Sequence, residues 1–153
     1  MIDTPEIVDV PAQAVARIHL TVPASEIRHH MGPGIQEVYK VLADQDITPA
    51  GPWFTHHFKR PSETFDFEIC VPVTQAVKPQ GRVEPGILRA HRAARTVYRG
   101  GYHDLGQGWG EFMSWIEDQK LKTRDDLWEV YVTGPDNAAK AADYETQLNK
   151  PLA

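Results

Sequence analysis

The chain has one cysteine, Cys70, in 153 residues. An intrachain disulfide is therefore excluded, as is a zinc cage of paired cysteines, and a reducing cytoplasm is the expected compartment. Basic residues are also in deficit: 16 Lys and Arg against 21 Asp and Glu leave a formal charge of −5. A nucleic-acid surface normally carries a basic stripe that neutralises phosphates. The nearest candidate here, Arg89, Arg92, Arg95 and Arg99, reads as the wet face of a strand, so no direct nucleic-acid binding is expected. Long apolar runs are missing, since nothing approaches the ~18 residues of a membrane helix. The segment from Met1 to Pro11 holds acids and prolines, not the basic-then-apolar layout of a signal peptide.

What remains is an ordinary globular composition, 41% hydrophobic and 24% charged, with enough length to bury a core. Laid over itself at an offset of 74, the chain repeats. Met31-Gly32-Pro33-Gly34-Ile35 falls on Leu105-Gly106-Gln107-Gly108-Trp109, and His29, Glu37, Asp44 and Gln45 fall on His103, Glu111, Asp118 and Gln119. One inserted residue later Trp53 meets Trp128, and Val71-Pro72-Val73 then corresponds to Lys150-Pro151-Leu152. Ile35, Val38, Tyr39 and Leu42 share a helical face, and so do Trp109, Phe112, Met113 and Ile116. Each set predicts an amphipathic helix of about three turns, opened by a Gly-x-Gly loop.

Strands are expected before the helices, at Val15–Val22 and Arg92–Arg99, and in pairs after them. The pairs are Trp53–Phe58 with Thr64–Val71, joined at Arg60-Pro61-Ser62, and Leu127–Thr133 with Glu145–Lys150, joined by a loop beginning Gly134-Pro135-Asp136. The expected fold is α+β: tandem duplicated β-α-β-β units, about 12–75 and 87–153, around a linker of about 76–86 that holds an unplaced extra strand. Antiparallel sheets with both helices on one side would leave a central cleft along a pseudo-twofold axis, the natural place for a ligand.

In Trp128-Glu129-Val130-Tyr131-Val132, alternation assigns Trp128, Val130 and Val132 to the helix-covered face and turns Glu129 and Tyr131 toward the cleft. The repeat puts Phe54 and His56 at the matching places, with Glu68 on the neighbouring strand. A carboxylate walled in by rings attracts a cationic ligand strongly, because the local dielectric is low and ring faces add cation–π attraction. The same setting suits a general base that activates a water. An ordinary surface carboxylate is the plainer reading of Glu129. Tyr102 and Trp109 flank the second glycine-rich turn and either line the cleft or simply staple the helix start. Trp53, Trp115 and Trp128 read as core.

The pairs His29-His30 and His56-His57 cannot chelate as units, since adjacent strand residues point to opposite faces, so no metal is expected. Cys70 lacks an identifiable base and reads as a small buried filler. Gly100-Gly101 and Gly106-x-Gly108 lack the Lys-Ser/Thr of a phosphate loop, so no nucleotide cofactor is expected either.

Tyr98-Arg99-Gly100-Gly101-Tyr102, then Leu105-Gly106, Trp115 and Trp128-Glu129-Val130-Tyr131-Val132-Thr133-Gly134-Pro135, with the closing Thr146 to Leu152, carry a resemblance over nearly the whole chain. It resembles the GyrI-like small-molecule-binding superfamily, the AraC-type or bacterial transcription activator effector-binding domain. That resemblance implies a cleft for hydrophobic, often cationic compounds, with Glu129 as its acidic residue. The chain departs from the family at Tyr98, where His is frequent, at Gly134, where Asp is frequent, and in Glu145-Thr146-Gln147-Leu148-Asn149-Lys150, where Arg-Thr-Glu and an aromatic are usual. Because the repeat consumes the chain, no helix-turn-helix segment is expected beside it. Three functions follow: a stand-alone sensor or sequestering protein, a hydrolase of cyclopropane-type electrophiles using Glu129 with Tyr131 or His56, or an interaction module for a regulator or gyrase.

Overall fold

The structure, a computed structural model, describes residues 2–59, 62–134 and 140–153. Arg60, Pro61, Pro135 and Asp136, expected in the two turns, lie outside the described residues. Among the described residues eight strands and two α-helices form: β1 (Glu6–Val10), β2 (Gln13–Pro23), α1 (Ile27–Asp44), β3 (Phe54–His57), β4 (Thr64–Pro72), β5 (Glu84–Leu88), β6 (His91–Arg99), α2 (Leu105–Asp118), β7 (Leu127–Thr133) and β8 (Glu145–Pro151). They divide into two compact units, a first of Pro11–Ala90 and a second of Met1–Val10 with His91–Ala153.

The first unit is an antiparallel sheet in the order β5-β2-β4-β3. Alternating apolar residues set its inner face: Ala16, Ile18, Leu20 and Val22 of β2 and Phe67, Ile69 and Val71 of β4 pack with Val38, Val41 and Leu42 of α1. Each fully buried aromatic or branched side chain there contributes roughly 1.5–3 kcal/mol. The second unit has the order β1-β6-β8-β7, again antiparallel. Its core joins Ala94 and Tyr98 of β6, Leu127 of β7 and Leu148 of β8 to Trp109, Phe112 and Ile116 of α2.

Both units therefore run strand–helix–strand–strand, and in both the first strand is flanked by an extra one. The extra strand of the first unit, β5, begins in the proline- and glycine-bearing stretch expected as a linker, where an unplaced extra strand was anticipated, and runs two residues past its expected end. That of the second, β1, comes from the N-terminal segment and pairs with β6 through Ile7 opposite Ala94.

The glycines expected to form loops before the helices lie inside them instead. Helix α1 starts at Ile27, so Gly32 and Gly34 are in its second turn, and Gly106 and Gly108 are in the first turn of α2. Their role is proximity. A Cβ on Gly34 would lie 2.7 Å from Ile69 Cδ1, and one on Gly108 would lie 2.5 Å from Tyr98 Cδ1. Each helix thus beds down on its own sheet at the same repeat position. His29 and His30 likewise belong to α1, not to a strand.

Candidate functional site

The helix side of the second sheet is fixed by Leu127 and Leu148, which share the core with α2. Residues two apart on a strand share a face, so Glu129 and Tyr131 stand on the helix side with Leu127. This corrects the expected phase, in which Trp128, Val130 and Val132 faced the helix. Trp128 is buried on the other face, stacked on His91 with centroids 6.2 Å apart, and Val132 is exposed. The tryptophan and valines resemble a core stripe, but α2 supplies a polar partner that makes the acid's side the inner one.

That partner is Trp109. Its indole Nε1 donates to Glu129 Oε2 at 2.6 Å, and the Tyr131 hydroxyl donates to Glu129 Oε1 at 2.6 Å. Glu129 is only 8% exposed. Short hydrogen bonds to an ionised acceptor are about twice as strong as neutral ones, which is what keeps a carboxylate tolerable in so dry a place. Tyr102 meets the Tyr131 ring edge-on at 6.0 Å and the Tyr144 ring at 5.2 Å. A Cβ on Gly134 would lie 2.6 Å from the Tyr102 hydroxyl, so only glycine lets that phenol sit there. Tyr102 is 38% exposed and so marks the solvent end of the group. The register of β7 against β8 shifts between Tyr131 and Thr133, a bulge of the kind that re-aims side chains beside a site.

The structure thus brings together Trp109, Glu129, Tyr131 and Tyr102, all singled out in the sequence, and adds Tyr144, which the sequence reading missed. Its only signal was an aromatic one residue before the last strand.

Phe54, His56 and Glu68 belong to the other unit and to the opposite kind of face. His56 pairs with Glu68 across β3 and β4, on the side of the first sheet turned away from α1. Glu68 is enclosed there, its side chain 7% exposed, 3.0 Å from Arg17 Nη1 and 3.4 Å from His56 Nδ1. Phe54 stands opposite Cys70 on the same face. Burial pushes the Cys70 thiol well up, with the Glu68 charge adding to the effect, which suits a filler and not a nucleophile.

Phe54 and His56 are not the counterparts of Glu129 and Tyr131. Without the inserted residue, the offset of 74 holds through the strand and puts Thr55 at the place of Glu129 and His57 at that of Tyr131. The pairing agrees: Thr55 lies opposite Ile69 as Glu129 lies opposite Leu148, both core residues on the helix side. His57 Nε2 is 3.1 Å from Thr55 Oγ1, and the His57 ring stacks on Phe67. Ile35 takes the place of Trp109.

Among the described residues no group of three His, Cys, Asp or Glu side chains could hold a metal ion, and no helix is long and apolar enough to cross a membrane.

A family model for the GyrI-like small molecule binding domain matches residues 3–149. The chain belongs to this GyrI-like family. Solved structures agree in fold. The EcmrR C-terminal domain superimposes with a TM-score of 0.88 at 22% identity, covering 98% of this chain and 97% of that one. The EcmrR chain in an EcmrR–DNA complex gives 0.87 at 25% identity, covering 97% of this chain but 57% of that one, so this chain spans little over half of that regulator's length. SAV2435 bound to tetraphenylphosphonium gives 0.66 at 13% identity, covering 99% and 94%. A protein described as a hydrolase from Listeria innocua gives 0.68 at 12% identity, covering 97% and 91%. No curated protein matches the chain.

Proposed function

We propose that this GyrI-like chain binds a hydrophobic cation at Glu129, in the second unit, and acts as a sensor or sequestering protein for that compound. The observation that carries the reading is a carboxylate 8% exposed, held by two aromatic donors and edged by Tyr102 and Tyr144. Such a carboxylate offers an unscreened negative charge, and the rings offer apolar area and cation–π faces. The occupant suggested is a cation with several aromatic groups, the chemistry of the tetraphenylphosphonium bound by SAV2435.

The test is calorimetric titration of tetraphenylphosphonium into the native protein and Glu129→Gln. Glutamine can accept from Trp109 and donate to the Tyr131 oxygen, so it keeps both hydrogen bonds and removes only the charge. Affinity is expected to fall about 10–100-fold, or ~1.4–2.7 kcal/mol, with Tm nearly unchanged. Equal affinities would remove Glu129 from the site.

Hydrolysis is the second reading, favoured by the hydrolase-named neighbour and by a carboxylate beside a phenol. A general base needs a lone pair turned toward a water, whereas short donors at both oxygens suit a fixed counter-charge better. Time courses with a cyclopropane electrophile separate the two: stoichiometric capture without turnover means binding alone.

A further inference from the structure

Beside Tyr131, across the β7–β8 pairing, stands Thr146. On its other side it pairs with Tyr98 of β6, so Tyr131, Thr146 and Tyr98 form one row across three strands. Thr146 is two residues from Leu148, a member of the core under α2, so its side chain shares the helix side with Glu129. Side chains of directly opposite residues have Cβ atoms about 4.5–5.5 Å apart, which puts the Thr146 hydroxyl next to the ring whose phenol holds Glu129. Thr146 is fully buried, and its Oγ1 has no hydrogen-bond partner among the described residues.

A buried hydroxyl without a partner costs roughly 1–3 kcal/mol, and native proteins satisfy nearly all such groups. Valine would have the same shape at no such cost. The carboxylate, by contrast, is engaged by two donors, and the Tyr131 phenol by the carboxylate. An unsatisfied hydroxyl aimed into a binding site is accounted for when the ligand completes it.

We infer that Thr146 is a specificity-determining residue of the Glu129 site, and that the preferred ligand is a cation carrying a hydroxyl or carbonyl group within reach of that hydroxyl. The inference rests on Glu129 being the ligand's counter-charge. A cation seated on Glu129 takes the place of the Tyr131 phenol, and movement of that ring uncovers its cross-strand neighbour. The bound compound then makes two polar contacts of different kinds: charge at Glu129 and a neutral hydrogen bond at Thr146. Aromatic cations lacking the second group bind on charge and area alone.

The experiment compares tetraphenylphosphonium with the 2-, 3- and 4-hydroxyphenyl isomers of triphenylphosphonium in the native protein, Thr146→Val and Glu129→Gln. The native protein is expected to bind at least one hydroxylated isomer about 3–10-fold tighter than the parent, the worth of one neutral hydrogen bond. Thr146→Val should abolish that preference, so that the hydroxylated isomers bind it no tighter than tetraphenylphosphonium does. Glu129→Gln should weaken all four compounds and keep the preference. Without ligand, Thr146→Val should raise Tm by about 2–4 °C, because the unsatisfied group is gone. A preference that survives in Thr146→Val, or no isomer exceeding the parent, overturns the role of Thr146 while the Glu129 reading stands. A lowered Tm overturns it too, since the hydroxyl would then have a partner in the empty protein. Failure of all four compounds to bind overturns both.

Discussion

Trp109 gives one N–H to an enclosed carboxylate, and phenylalanine fills much of the same space without that donor. Trp109→Phe therefore leaves a buried charge short of a hydrogen bond worth about 1.5–3 kcal/mol, and urea denaturation should show a loss of that size. In the Glu129→Gln background the same substitution costs less, because the acceptor is neutral; equal costs in both backgrounds would show that the indole acts by packing alone. The identities of these residues are legible in the sequence: Glu129 and Tyr131 alternate on one strand, and Tyr102 and Trp109 flank a glycine-rich turn. Their facing is not. Trp128, Val130 and Val132 are the better β-core residues by type, and alternation alone cannot tell an apolar stripe from its polar neighbour when both sides are buried. The deciding contact, the indole reaching from α2, joins positions 20 residues apart and leaves no local trace. Thr146 was invisible for a related reason, since an orphaned hydroxyl is a property of surroundings.

Helix α2 carries three glycines in one turn and a half, and space separates their roles. A Cβ on Gly106 or Gly110 would meet nothing within 4 Å, whereas one on Gly108 would press into the Tyr98 ring. Gly106→Ala and Gly110→Ala should each stabilise by about 0.5–1 kcal/mol through helix propensity. Gly108→Ala should destabilise by about 1–3 kcal/mol and weaken ligand binding as well, because lifting the helix carries Trp109 off Glu129. Thermal melts with a parallel titration check the set, and a Gly108→Ala protein as stable as Gly106→Ala would refute the bedding role. In the sequence these glycines read as loop formers, because Gly-x-Gly before an amphipathic run is a turn signal. Close helix–sheet approach uses the same residue for its missing side chain, not its backbone freedom, and only the tertiary contact separates the two uses.

At the scale of the whole molecule, three carboxylates among the described residues are held low by basic partners: Asp3 by the hydrogen bonds of Arg99, Glu37 by those of Arg82, and Asp66 by that of His19. Each has a folded value below its unfolded one. Its contribution is therefore complete above the unfolded value, near pH 4, and disappears as pH falls through the lower folded value. Tm should stay level above about pH 5 and decline below about pH 4, less steeply in high salt because all three pairs are solvent-accessible. A triple variant, Asp3→Asn, Glu37→Gln and Asp66→Asn, should lose most of that decline; an unchanged slope would assign the sensitivity elsewhere. The α+β class, with its antiparallel strands and two helices, was legible from the helical periodicity and the strand alternation. The strand β1 was not, and β5 was legible only as an extra strand without a position, since each is short, bears exposed Ile7 or Ile87, and is defined by the neighbour it pairs with.

The hydrogen bond from the Trp109 indole to a charged oxygen has an optical consequence. Trp109, one of four tryptophans, has an excited state that feels Glu129 directly. A compound settling on that carboxylate alters its emission, so the unlabelled protein reports its own occupancy, and the difference spectrum against Trp109→Phe isolates the signal.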